Sequence, residues 1–414
     1  LFEINLYITI NSNLRMKKIL IVTGVFPPEQ VTSALMNYDL AVELSKNYEV
    51  TVLRPYPTRP IGMMFTDANI GNVPFKTILI NSYTNPASQL FGRFRESNDF
   101  GLKCSIYIKE NHKDIDFIYD NPWQLFGVGH VAKTAKKYGI PYMIAIQDIY
   151  PECLFTHKKF PIFLQFVVSK LLLMIDKYNQ KNAACIRTIS DEMRDYLSST
   201  RGIPFDRYIV VNNWQNDQDF MNNFPNREAD GKIVFEYVGS INAHANVELI
   251  IKAFHEANIP NSVLKIYGGG NHKDQCVQLA NNLGNSNIIF DIISRDKVAF
   301  VQSQADVLLL ALPSGNGNLC LPSKMTSYMM SGKPIIASVD YDSATTRYLR
   351  EADCGIAAEP DNVQQLAKSM AKFANLSVQE LQEKGQKGRQ FALETLSRKT
   401  NLIIVCEKIK AIIN

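Results

Sequence analysis

The 414-residue sequence contains no run of about 18 uninterrupted apolar residues, so no segment reads as a membrane-spanning helix. It has no C-x-x-C. Its seven cysteines (104, 153, 185, 276, 320, 354 and 406) are odd in number and widely scattered. That pattern excludes a disulfide framework or zinc knuckle and fits reduced, mostly buried thiols of a cytoplasmic protein. H-E-x-x-H and carboxylate clusters at metal spacing are also missing, so no metal is expected. His244 and His272 stand alone and read as loop or surface residues. Charge of either sign is scarce in excess: a net +4 is too small to imply a nucleic-acid partner, although local basic patches suit an anionic membrane surface. Residues 1–15 show no clean apolar core, because Glu3 and scattered asparagines interrupt it. They do not read as a signal peptide, and the expectation is a leader, either an upstream translation or a disordered lead.

What is present is ordinary globular composition, 46% hydrophobic and 20% charged, at a length that suggests two domains. The first half alternates strand and helix from 17–23 onward. A dinucleotide fold would place G-x-G-x-x-G after that strand. The chain has Gly24-Val25-Phe26-Pro27-Pro28-Glu29-Gln30 instead, which weighs against a nicotinamide dehydrogenase and makes Glu29 a candidate cleft residue. Residues 55–99 read as a long irregular excursion around strand 76–81, carrying Met63, Met64, Phe65, Phe91, Arg93, Phe94 and Arg95. Arginines interleaved with phenylalanines suit a lipid headgroup or a phosphate, and equally suit packing beneath a loop. Helices at 101–111 and 123–138 and strands at 115–119 and 141–147 follow.

The strand at 141–147 ends in Asp148-Ile149-Tyr150-Pro151-Glu152. A carboxylate at the carboxyl tip of a parallel strand faces the ligand crevice of an open α/β sheet, where Asp148 would act as base or charge stabiliser. Capping of the next turn is the plainer alternative. Residues 160–176, FPIFLQFVVSKLLLMID, form the most apolar helix of the chain, with Lys158 and Lys159 before it and Lys170 inside. Burial against the sheet is the expectation, and a place in a membrane interface is the alternative. After strands 184–189 and 208–212, the polar, turn-rich stretch 213–231 reads as a linker.

The second half restarts with strand 232–238 and Gly239-Ser240-Ile241-Asn242-Ala243-His244. Strand 263–267 ends in three glycines, a weak phosphate-loop signal. The most informative stretch is 305–338. An apolar strand runs from Val307 to Leu312, and a loop follows from Pro313 to Pro322. A helix then starts near Ser323, and Gly332-Lys333-Pro334 stops it before strand 335–337. A strand–loop–helix unit of this kind points helix N-terminal amides out of the sheet's carboxyl edge. With Ser323 as expected cap and Lys324 beside the dipole, it forms an anion seat suited to a diphosphate. An ordinary capped turn with a solvated lysine is the other reading. Helices at 343–350, 361–374, 377–393 and 395–413 complete the chain, the last packing back across the first domain.

In order and spacing, FPPE (26–29), DIYPE (148–152), TIS (188–190), VVNNW (210–214), YVGSI (237–241) and LPSKM with YMMSGKPIIAS (321–338) resemble the family-four retaining glycosyltransferases, in their bacterial surface-polysaccharide (capsule and O-antigen) branch. The resemblance covers nearly everything from Met16 onward. It implies an α/β chain of the GT-B fold, two doubly wound Rossmann-like domains facing each other across a cleft. The acceptor side would span 16–212, the linker 213–231, the nucleotide-sugar side 232–394, and 395–414 would be a crossing helix. It implies metal-independent transfer of a sugar, with retention, from a nucleotide diphosphate donor, UDP rather than GDP. The implied acceptor is a polyprenyl-diphosphate-linked saccharide at the cytoplasmic face of the inner membrane. Asp148 would be catalytic. Gly239, Ser240, Asn242, Gly317, Asn318, Leu319, Leu321, Pro322, Ser323, Lys324 and Ser327 would hold the donor, and Glu29, Arg93, Arg95, Tyr150 and Glu152 would line the acceptor cleft. The family's paired glutamates fall on Leu319 and Ser327, neither acidic, which leaves Ser327 a weaker hydroxyl contact to the ribose. The arginine and lysine common after the first strand of the second domain are missing, and Asn242 and His244 stand nearby. A nucleotide-sugar 2-epimerase of the same fold and a non-catalytic nucleotide-binding scaffold are the alternative functions.

Overall fold

The structure, a computed structural model, describes residues 15–59, 65, 68–85, 90–122, 125–155, 161–222, 224–225, 227, 230–315 and 321–414. The expectations for the leader up to residue 14, for Met63 and Met64, for Lys158 and Lys159, and for Gly317, Asn318 and Leu319 lie outside these residues.

The first domain opens with β1 (Lys18–Thr23), α1 (Thr32–Leu44), β2 (Glu49–Pro55) and β3 (Lys76–Ile80). It continues through α2 (Leu90–Asn111), β4 (Phe117–Asn121), α3 (Phe126–Tyr138), β5 (Tyr142–Ala145), the short α4 (Glu152–Phe155) and α5 (Ile162–Asn182). It closes with β6 (Cys185–Thr188), α6 (Asp191–Arg201) and β7 (Tyr208–Val210). The seven strands are ordered β3-β2-β1-β4-β5-β6-β7, and each described pair is parallel. The order reverses next to β1, so ligand-facing loops gather at the carboxyl ends of β1 and β4 to β6.

The second domain comprises β8 (Ile233–Val238), α7 (Val247–Ala257), β9 (Ser262–Tyr267), α8 (Lys273–Asn282), β10 (Ile288–Asp291) and α9 (Val298–Ser303). It continues with β11 (Val307–Ala311), α10 (Ser323–Met330), β12 (Ile335–Ser338), α11 (Ala344–Glu351), β13 (Gly355–Ala358), α12 (Val363–Ala374) and α13 (Val378–Phe391). Its six parallel strands are ordered β10-β9-β8-β11-β12-β13. β11 and β12 are fully buried, as their unbroken apolar runs require when helices cover both faces.

The C-terminal helix α14 (Arg398–Ile413) returns to the first domain, where Leu402, Val405 and Ile409 join Met36, Leu40 and Leu44 of α1 in one core. Asn401 accepts the Asn212 N–H at 2.7 Å and Arg398 pairs with Asp39 at 3.0 Å, which tie that helix to the first domain.

Two expectations are corrected, at α2 and α5. Residues 90–100 are not irregular: α2 begins at Leu90, so Phe91, Arg93, Phe94 and Arg95 are helical. Within the stretch 213–231, Trp214 and Phe220 are buried and Trp214 Nε1 donates to Asp39 at 2.9 Å. The apolar helix α5 is buried on one side only: Leu172, Asn179 and Gln180 face inward, but Phe163, Phe166, Leu171 and Met174 are exposed.

Candidate active site

The site is assembled from loops at the facing carboxyl edges. A cavity of about 210 Å³ is lined from the first domain by Thr32, Ser33 and Met36 of α1, Gln147 and Asp148 after β5, and Ile189 after β6. Asn213, Leu321 and Ser323 close it from the other side. The tip of α10 therefore faces the gap between the domains.

That tip is braced. Thr326 Oγ1 donates to the Asn213 carbonyl at 3.2 Å and the Gln215 amide to the Ser323 carbonyl at 3.3 Å. Pro322, not Ser323, is the cap, and it supplies no side-chain bond; Ser323 is the first helical residue and is exposed. The first amides of α10 thus have no side-chain cap of their own, which leaves the helix end suited to an anion.

Lys324 lies beside the loop that follows β8. Its Nζ is 5.3 Å from the centre of the Tyr237 ring, and its stem packs against Gly239. Gly239 has φ +152°, and a Cβ there would collide with Lys324 Cε, so only glycine fits the close approach. Tyr328 of the same helix clamps the strand end: its hydroxyl accepts the Val238 N–H at 2.9 Å and donates to the Val238 carbonyl at 3.2 Å. Helix tip and glycine loop are therefore one unit. Ser240 is exposed beside them, and its carbonyl accepts the Tyr237 hydroxyl at 2.7 Å. Asn242 caps the following turn by accepting the His244 N–H at 3.0 Å, and it donates to Ser240 Oγ at 3.1 Å.

Across the gap, Asp148 is open to the cavity yet crowded by protein. That desolvation pushes its carboxyl above the usual range, while the charges of Arg93 and His244 pull it back. His244 is itself held below the ordinary imidazole value, first by desolvation and then by Arg93, so it is neutral near pH 7. Arg93, Asp148 and His244 thus converge from α2, the β5 loop and the β8 loop. Tyr150 feels the same carboxylate and arginine, and desolvation raises its phenol.

Four expected site residues are placed elsewhere. Glu29 does not line the cleft: its buried carboxylate accepts the N–H groups of Phe26, Thr58 and Arg59, organising the loop after β1. Glu152 is taken up by Arg201, at 2.6 and 2.9 Å, and by the Tyr196 hydroxyl. Arg95, two residues from Arg93, turns away and stacks on Tyr83 at 4.3 Å. Ser327 is buried; its hydroxyl donates to the Lys324 carbonyl at 2.9 Å and meets the Gln302 amide at 3.4 Å.

Thr32, Ser33 and Gln147 were not legible as site residues, because polar side chains opening a helix or following a strand carry no motif of their own, and Asn213 was quoted only as part of VVNNW. His244 was set aside as a lone histidine, and only the fold brings it to Asp148.

Two facing parallel-sheet domains with the ligand gap at their carboxyl edges are the GT-B architecture. Residues 219–391, which include the second domain, match the family model described as Glycosyl transferases group 1. The probable glycosyltransferase WbjE of Pseudomonas aeruginosa is 23% identical over 265 residues, which is 59% of this chain and 62% of WbjE; the match spans less than two thirds of that relative. Among solved structures, the Anabaena protein Alr3699/HepE in complex with UDP-glucose superposes with a TM-score of 0.67 at 12% identity, over 96% of this chain and all of that one. WaaG, a glycosyltransferase involved in lipopolysaccharide biosynthesis, gives a TM-score of 0.64 at 16% identity, over 90% of this chain and 95% of that one.

Proposed function

We propose that the chain is a retaining, metal-independent glycosyltransferase. In this reading it moves a sugar from a uridine diphosphate donor to a polyprenyl-diphosphate-linked saccharide during surface-polysaccharide assembly. One observation carries the reading: Asp148 of the first domain and the Ser323 end of α10 line a single cavity. Diphosphate chemistry needs positive charge where the leaving group builds up negative charge. The α10 amides and Lys324, held against Gly239, supply it without a metal. The bond from the anomeric carbon to the diphosphate oxygen breaks, the acceptor hydroxyl oxygen takes its place on the same face, and its proton passes to the departing diphosphate. Asp148, ionised, would hold a sugar hydroxyl and offset positive charge at the anomeric carbon. The Arg93 charge favours that ionised form.

Uridine is chosen because the Anabaena neighbour binds UDP-glucose, and the pathway because WaaG acts in lipopolysaccharide biosynthesis. The test is incubation with a panel of nucleotide sugars and a lipid-linked saccharide, following nucleotide release and the anomeric configuration of the product. Acceptor-dependent UDP release with retention supports the reading. Conversion of a nucleotide sugar to its 2-epimer, or tight UDP binding without turnover of any donor, contradicts it.

A further inference from the structure

One face of α5 is apolar and uncovered. Phe163 is 80% exposed, Phe166 67%, Met174 63% and Leu171 58%, with Val167 and Tyr178 also exposed. At 3.6 residues per turn these positions fall on one side of the helix. The opposite side, Leu172, Asp176, Asn179 and Gln180, is buried. From Phe163 to Leu171 no described side chain is fully buried, so the first turns stand out from the domain. Contiguous exposed aromatics of this kind mark a surface that another phase or molecule covers.

Charge selects the occupant. Lys170, Lys177 and Lys181 are exposed on the same helix. Neighbouring α3 presents Lys133, Lys136 and Lys137, and Lys136 Nζ lies 5.4 Å from the centre of the Tyr178 ring. The single acid of these two helices, Asp176, is turned inward, 2.7 Å from Arg201 Nε. A second copy docked two-fold on this face would bring lysines against lysines. An anionic bilayer instead takes aromatic side chains below its headgroups and lysines at its phosphates. Among the described residues no helix is long and apolar enough to cross a membrane, so α5 would lie in the plane.

We infer that the exposed face of α5, flanked by the lysines of α3, docks the protein on an anionic lipid surface. α5 follows the Asp148 loop in the chain, so docking holds the cleft near the bilayer, where a lipid-anchored acceptor resides. Only that purpose rests on the transferase reading; the contact itself requires no sugar donor.

The experiment is co-sedimentation of the full chain with vesicles of phosphatidylcholine alone or with phosphatidylglycerol added, at low and high salt and without nucleotide. The expected result is pelleting with the anionic vesicles that weakens with salt. Affinity should fall by about tenfold or more in Lys170→Glu/Lys177→Glu. It should fall likewise in Phe163→Ser/Phe166→Ser, while both variants keep the wild-type circular dichroism and UDP affinity, because the altered side chains are exposed. Wild-type protein left in the supernatant with both vesicle types would overturn the inference. So would a dimer seen by light scattering that Phe163→Ser/Phe166→Ser dissolves, which would assign the face to a second copy. Loss of transfer activity with vesicle binding intact would count against the transferase reading alone.

Discussion

Lys324 Nζ lies 5.3 Å from the centre of the Tyr237 ring, and the lysine stem runs across Gly239, so the cation of α10 is steered by the strand that ends beneath it. A flexible lysine is thereby aimed before any ligand arrives, and little side-chain entropy remains to be lost when a phosphate binds.

Gly239→Ala tests that steering. A Cβ would meet Lys324 Cε at a φ of +152° that alanine avoids, so the lysine must swing away and the loop must strain. UDP affinity is expected to fall by about tenfold or more, given the roughly 1.5–3 kcal/mol carried by a charged hydrogen bond. Unchanged affinity by calorimetry would show that Lys324 need not occupy this position.

Asp148 makes a pH prediction. If its ionised form is required, kcat/KM falls as pH drops through its pKa. Desolvation has moved that pKa above the ordinary aspartate value of 3.8, so the acid limb lies higher than for an exposed carboxylate. Arg93 favours the charged form, and removing it raises the pKa further. Arg93→Ala should therefore shift the acid limb of the pH–rate profile to higher pH, whereas a profile displaced downward or unmoved would separate the two residues.

The Asp148 loop is held from behind by Arg201, whose side chain is fully buried. It donates to the Tyr150 carbonyl at 2.7 Å as well as to Glu152 and Asp176. Arg201→Met leaves two carboxylates without their partner and should destabilise the fold by about 3–5 kcal/mol. Denaturant unfolding measures this directly. A loss below about 1 kcal/mol would mean that the network contributes no more than an exposed pair.

Arg347 of α11 bridges the domains: its Nε is 2.6 Å from Glu192 Oε1 and its Nη2 3.1 Å from Asp191. Desolvation raises the Glu192 carboxyl, but the hydrogen bond and charge of Arg347, the Glu192 backbone N–H and the Ser190 hydroxyl together outweigh it, and the net shift is downward. A depressed folded-state pKa adds stability above glutamate's ordinary 4.5, and that stability is lost as pH falls through the folded value. Arg347→Ala should cost about 1–2 kcal/mol at neutral pH and progressively less in acid. A cost that grows toward low pH would reverse the assignment.

How much of this could be read from the chain depended on how local the determinants were. The β11–α10–β12 unit was legible because an apolar run, a proline-bounded loop and a Gly-Lys-Pro stop lie within a few turns of one another. Strand β13 was not: Gly-Ile-Ala-Ala is short, small and at the sheet edge, with no alternation to mark it. Glu29 and Glu152 looked like cleft carboxylates because their partners, Thr58 and Arg201, are 29 and 49 residues away. For α5, hydrophobicity alone does not distinguish a helix pressed on a sheet from one facing outward; that distinction belongs to the neighbouring elements. Ser327 likewise meets Gln302 of α9, 25 residues away in the chain, at 3.4 Å.

The central claim is that two facing domains clasp a diphosphate that α10 and Lys324 neutralise. Calorimetric titration of UDP into the wild-type chain and into Lys324→Met tests it most directly, since methionine keeps the stem against Gly239 and removes only the charge. The account predicts a loss of about ten- to a hundredfold in affinity. Equal affinity in the two proteins would contradict it.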